Sequence, residues 1–292
     1  MKALNEKAML VKLTTRRINL TRRDQVAEHL IQQQLDDSSL IVNSKLFRDK
    51  TNPIYSLMSL VSECYTYHRN NTLPYMDKGP RILPVANYEE YTREMRSRFA
   101  RVESEAQSIL PQWDTLVTRD IAYRSQNPTK PQRASVSDYP TAEEFSDKLG
   151  FDMRFMPLPD SRHFLFDIDE ADMKALDESV AMAERIARDD AVKRMLTPLS
   201  HLVEKLNKPI DSEGSIFRDS AVENIIEGIE QARKLCLDES PEIQNMIKEL
   251  NDQVSKYAVN TDWLRQSPPI REQAAKQLSD IASKMGAFMG AF

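Results

Sequence analysis

Glycine is scarce in this chain: six residues in 292. Neither a Walker A sequence nor a G-x-G-x-x-G occurs. Without a glycine-rich loop the backbone cannot wrap several amides around a phosphate. Nucleotide hydrolysis by this chain alone is therefore not expected. Cysteine is scarcer still. Cys64 and Cys236 make no disulfide framework and read as buried thiols in a reducing compartment. No apolar run reaches about 18 residues, so no membrane span is expected. The opening "MKALNEKAML" lacks the apolar core of a signal peptide. These absences point to a cytoplasmic protein. The formal net charge is −5, so bulk charge gives no reason to expect nucleic acid.

Catalytic signatures are missing as well. There is no G-x-S-x-G elbow, and His29, His68, His163 and His201 lie far apart in sequence. Cys64 and His68 share a helix face at i, i+4. Two ligands without a third read as a packed thiol beside a surface imidazole rather than a metal site. No catalytic residue, metal or cofactor is assigned.

What the chain does contain is helical periodicity. "MLVKLTTRRINL" (9–20) alternates and is β-branched, as a strand or extended arm does. "RRDQVAEHLIQQQL" (22–35) places Val26, Leu30 and Ile31 on one helix face. Asn52 and Pro53 form a helix start, and Ile54, Leu57, Leu60, Val61, Cys64 and Tyr65 make the buried stripe that follows. "TLPYMDKGPRILP" breaks helicity. Asn87 with Glu90 suggests a capping box. From there Tyr88, Tyr91, Met95, Phe99, Val102, Ala106, Ile109, Trp113 and Leu116 step by threes and fours, a seam of about four heptads. Pro111 should kink it or divide it into two helices.

After a polar linker (127–141), Thr141 and Glu144 cap a short helix. "FDMRFMPLPDSRHFLFDIDEADM" (151–173) then alternates, turns and alternates again. Phe151, Met153 and Phe155 share one strand face, and Phe164 and Phe166 the returning one. A second seam of roughly 40 residues begins at a cap supplied by Asp167 or Asp169. Met173, Leu176, Val180, Ala183, Ala187, Ala191, Met195, Leu199, Leu202 and Leu206 form it, and Pro198 should bend it. Each seam would span roughly 60 Å as continuous helix.

The expected fold is mainly α: a long antiparallel, coiled-coil-like helical hairpin (87–207) carrying a small β-hairpin (151–167) at its tip. A helical body of residues 1–86 and 208–292 would support it. The helices near 215–237, 240–259 and 268–292 are expected to pack with residues 22–70. Tip residues Phe155, Arg162, His163 and Asp169 are the expected protein-contact site. The carboxylates of "DIDEAD" also serve as helix caps. The basic run Lys12, Arg16, Arg17, Arg22 and Arg23 is the alternative site, for nucleic acid.

The segment from "LIVNSKLFRDKTNPIYSLMSLVSECYTYHRNNTLPYMDKGPRILPVANYEEYTREMRSRF", together with "IFRDSAVENI", resembles an uncharacterised phage-encoded family. Genes of that family often occur near those for MoxR-type AAA+ ATPases and von Willebrand A-domain proteins. The resemblance implies a viral helper in the host cytoplasm that acts with an ATPase and is not an enzyme. The expected function is a non-enzymatic adaptor or assembly factor working through protein contacts, with a homo-oligomer open. The alternatives are a nucleic-acid-binding protein of phage replication or transcription, and a virion structural component.

Overall fold

The computed structural model describes residues 4–16, 19–47, 49–76, 79–126, 134–159, 169–209, 219–237, 240–258 and 261–290. In chain order, α1 (Leu4–Lys7) and β1 (Ala8–Arg16) precede β2 (Thr21–Arg23), α2 (Gln25–Leu35), β3 (Asn43–Lys45) and α3 (Pro53–Asn70). Next come β4 (Leu73–Pro74), β5 (Arg81–Pro84), α4 (Tyr88–Ile109), α5 (Trp113–Ser125), α6 (Ala142–Lys148) and β6 (Gly150–Met156). Five helices complete the described chain: α7 (Glu170–Leu206), α8 (Ser220–Leu235), α9 (Pro241–Ala258), α10 (Asp262–Gln266) and α11 (Pro268–Gly290). The protein is thus mainly helical, with a four-stranded sheet in the order β4-β5-β1-β6 and a separate β2-β3 pair.

The chain forms two compact units. One comprises Met1–Lys12, Arg69–Tyr91 and Arg154–Phe292; the other comprises Leu13–His68 and Thr92–Met153. Residues 13–68 therefore group with 92–153. The expected body instead joined residues 22–70 to the C-terminal helices. Apolar stripes show that a helix must pack, but not which other stripe it meets.

In the first unit β1 pairs antiparallel with β5, Ala8 opposite Pro84 and Val11 opposite Arg81. Strand β5 in turn pairs with β4, Leu73 opposite Ile82. Helix α7 packs against α8 and α11. Its Met195, Leu199, Leu202 and Leu206 are buried with Ile225 and Ile229 of α8, Ile247 and Leu250 of α9, and Leu278 and Ile281 of α11. Nearer its N-terminus, Ala183, Ala187 and Ala191 are buried with Leu10, Leu73 and Ile82. Small side chains at that spacing let the helix lie close on strand β4. The expected cap is realised: Asp169 accepts from Ala171 N at 3.3 Å.

Pro198 lies inside α7 without ending it. Having no N–H, it leaves the Arg194 carbonyl without its helical donor. Gly228 of α8 sits over that carbonyl; a Cβ there would stand 2.9 Å from the oxygen. Arg194 itself reaches back to the end of α3, donating to Asn70 O at 2.6 Å, Arg69 O at 2.9 Å and Thr72 O at 2.8 Å. A guanidinium there satisfies the last carbonyls of the helix and opposes its negative end.

In the second unit α3 opens as expected, with Asn52 Oδ1 accepting from Ile54 N at 3.1 Å. Val102, Ala106, Ile109, Trp113 and Leu116 of the first seam are buried, clustered with Ile54, Leu57, Val61 and Cys64. Pro111 divides the seam at a 3-10 turn, Leu110–Gln112. The Thr141–Glu144 capping box is formed on both sides. Phe151 stacks on Phe99 with ring centroids 4.5 Å apart.

The buried stretches of the two seams pack within their own units, the first against α3 and the second against α8, α9 and α11 and, nearer the start of α7, against residues of β1, β4 and β5. Of the expected β-hairpin, one strand lies within the described residues. Strand β6 alternates as expected, but its described neighbour is β1. The returning strand lies outside the described residues. Asn87 makes no capping box; it stands in a 3-10 turn, and its side-chain amide donates to Asn71 O at 3.1 Å.

Candidate protein-contact surface

Of the four expected tip residues, Phe155 and Asp169 lie within the described residues. Phe155 is half-buried and packs edge-on against Tyr88, ring centroids 5.3 Å apart. Asp169 is the cap of α7. Arg162 and His163 lie outside the described residues. The basic run is divided too. Lys12 and Arg16 are exposed on alternate positions of β1, and Arg17 lies outside the described residues. Arg22 faces Asp138 at 3.3 Å and Asp24 at 3.8 Å. Arg23 holds Glu28 through two hydrogen bonds, 2.8 and 2.6 Å. Arg22 and Arg23 are thus compensated by neighbouring carboxylates.

His68 is buried, not a surface imidazole, and Cys64 is buried beside it on α3. Burial pushes the Cys64 thiol up from its ordinary range. Among the described residues no three His, Cys, Asp or Glu side chains converge as metal ligands. No described helix is long and apolar enough to cross a membrane.

The most concentrated polar chemistry in the second unit is fully enclosed. Asp120 of α5 has no solvent exposure. Its Oδ2 accepts from Phe47 N at 2.9 Å, Tyr139 Oη at 2.6 Å and Arg124 Nε at 2.8 Å. Arg124 also donates to Lys45 O. Phe47, held in a left-handed conformation with φ 51°, packs edge-on against both Trp113 and Tyr139. Burial and then the hydrogen bond to Asp120 push the Tyr139 phenol far up. No substrate reaches this carboxylate. It ties the segments around 45–47 and 136–139 onto α5.

The surface that stands out is α2. Asp24, Glu28 and Gln32 recur every fourth residue and so share one stripe. That stripe faces inward. Asp24 caps the helix through Ala27 N at 3.2 Å and accepts from Ser44 Oγ at 3.0 Å. Glu28 accepts from Val42 N at 3.3 Å as well as from Arg23. Gln32 donates to Leu40 O at 2.8 Å. Asp24 and Glu28 are among the buried residues of the protein. The hydrogen bonds from Arg23 hold the Glu28 carboxyl below its ordinary range, against the opposing effect of burial.

The apolar residues face the other way. Val26 and Leu30 are each 53% exposed, Leu35 65%, Ile31 36% and neighbouring Ile41 63%. The helix is an inverted amphipath, anchored by hydrogen bonds and presenting its hydrocarbon to solvent. Between Asp24 and Asp36 the only formally charged side chain is Glu28. The sequence places Val26, Leu30 and Ile31 on one face; the fold turns that face to solvent.

No protein-family model matches the chain, and no curated protein or solved structure shows significant similarity to it.

Proposed function

We propose that this chain acts through protein contacts, as a non-enzymatic adaptor or assembly factor, and that the exposed face of α2 is its contact surface. The observation that carries the reading is the inversion of α2. A solvated helix ordinarily hides its apolar stripe and shows its charges. Here the charge is hidden and Val26, Leu30, Ile31 and Leu35 are shown. Interface cores are marked by depletion of charge in this way.

A phage origin and a MoxR-type AAA+ ATPase partner in the host cytoplasm follow from the resemblance of the sequence and belong to the same proposal. The test is affinity purification of the tagged chain during infection, comparing the native sequence with Leu30→Glu. Leu30 is exposed, so the variant should fold normally. Loss of a co-purifying protein with Leu30→Glu supports the reading; equal recovery from both overturns it. Salt-titrated binding to single-stranded and duplex DNA tests the nucleic-acid alternative. Affinity that ignores charge removal at Lys12 and Arg16 eliminates it.

A further inference from the structure

We propose that the α2 face is covered by a second copy of this chain, the two α2 helices packing antiparallel about a two-fold axis beside Leu30. The proposal rests on the reading of this face as a contact surface and names its occupant. A dimer would then be the form that any other partner meets.

Self-complementarity carries the argument. The patch from Val26 to Leu35 is centred between Leu30 and Ile31, so antiparallel pairing lays it on itself. Val26 of one copy comes level with Leu35 of the other, and Leu30 with Ile31. The two ends of the helix differ in charge. Arg23, 57% exposed although it holds Glu28, marks the N-terminal end. Asp36 and Asp37, both exposed, follow the C-terminus. Antiparallel pairing sets each Arg23 near the other copy's Asp36 and Asp37, and sets the helix dipoles head to tail. The exposed centre is uncharged: Gln25, His29, Gln33 and Gln34 flank the hydrocarbon. A strongly acidic or basic partner would find no counter-charge there, whereas an identical helix finds matching apolar residues. A two-fold pairing of one patch with itself is the commonest arrangement in homo-oligomers.

The four apolar side chains of α2 together expose on the order of 350 Å², within the roughly 300–600 Å² of the largest patch on a typical monomer, which is often functional. Two copies would bury about 700 Å² of it, and the flanking Gln25, His29, Gln33 and Gln34 bring the contact toward the roughly 1,000 Å² lower edge of specific interfaces. The dimer should therefore be weak and concentration-dependent.

Sedimentation velocity on the full chain, from low micromolar to near-millimolar concentration, should show a reversible monomer–dimer equilibrium. Leu30→Glu should abolish it with an unchanged circular dichroism spectrum and melting curve. Geometry is tested by cysteines introduced one at a time in a Cys236→Ser background, where buried Cys64 is the one native thiol left. Leu30→Cys should cross-link under mild oxidation. Val26→Cys and Leu35→Cys should not, because antiparallel pairing sets the two copies of either residue about 14 Å apart along the helix axis, beyond disulfide reach. A chain monomeric at every concentration overturns the proposal, as does a dimer that survives Leu30→Glu. Cross-linking at residues 26 and 35 as readily as at 30 overturns the antiparallel arrangement. If the chain is monomeric but Leu30→Glu still loses a captured protein, the dimer fails and the contact surface stands. If the dimer forms but capture is indifferent to Leu30→Glu, the reverse holds.

Discussion

Replacing Asp120 with alanine should be among the most damaging single substitutions in the second unit. Three donors converge on one oxygen of this enclosed carboxylate, and the Arg124 side chain beside it is 1% exposed. Removing one partner of a buried ion pair costs about 3–5 kcal/mol, because the remaining charge is left without compensation. The Phe47 amide and Tyr139 hydroxyl would each lose an acceptor, at about 1–3 kcal/mol apiece if taken alone. These penalties overlap, since one relaxation or one entering water relieves several of them. We therefore expect about 4 kcal/mol for Asp120→Ala. Asp120→Asn keeps the shape and one acceptor and should cost about half of that. Tyr139→Phe removes a single bond and should cost about 1 kcal/mol. The assay is urea unfolding followed by Trp113 fluorescence in a Trp263→Phe background. Trp113 is buried among Phe47 and Phe145, and its indole donates to Pro140 O at 2.8 Å. A loss below about 1 kcal/mol for Asp120→Ala would refute the reasoning, as would Tyr139→Phe matching it.

The same site predicts a pH dependence. Below about pH 10 the Tyr139 phenol is protonated in both folded and unfolded chains and contributes no slope. Above it the unfolded chain ionises first while the folded chain keeps its proton, so stability falls as pH rises, by up to about 1.4 kcal/mol per pH unit. Tyr139→Phe should flatten that limb in the Trp113 signal. Tyr75 and Tyr257 are also raised by burial, but they belong to the first unit.

Three further outcomes are expected. Arg194→Lys should lower the thermal midpoint, losing about 2 kcal/mol, because an ammonium cannot reproduce the fork that reaches three carbonyls and Asp190; an unchanged midpoint would contradict the capping role. Gly228→Ala should destabilise by about 1–3 kcal/mol, since its methyl would press on the Arg194 carbonyl in the helix backbone. Thiol titration of the native chain at mildly alkaline pH should leave Cys64 unreacted until denaturant is added, while half-buried Cys236 reacts sooner.

Local features were legible in the sequence where one residue's chemistry decides them. Pro53 and Asn52 start α3, Thr141 and Glu144 cap α6, Asp169 caps α7, and Pro111 splits the first seam. In each case the reason lies within one turn of the chain, in a missing N–H or a side chain that reaches a nearby amide. The seam positions were legible as well, because buried residues on a helix must recur near every 3.6. Their partners were not. Val102 and Ile109 meet Ile54 and Val61, while Met195 and Leu202 meet Ile225 and Leu278. Nothing in the spacing distinguishes one leucine-rich stripe from another. Asp120, Arg124 and Tyr139 went unnoticed because Asp120 and Arg124 look like an ordinary surface i, i+4 pair until Phe47 and Tyr139 close over them.

The sequence by itself determined that this protein is mainly helical, where most helices start, and which residues seek burial. Those properties follow from hydrogen bonding and periodicity within a few residues. Only the tertiary structure decided which stripe covers which, and that α2 is the exception. Its carboxylates at residues 24 and 28 turn inward because Arg23, Ser44 and the backbone around Val42 satisfy them there. With those polar bonds met beneath the helix, Val26, Leu30 and Leu35 are left facing water. Burying a charge is tolerable only where partners converge on it, and the convergence exists only in the folded chain.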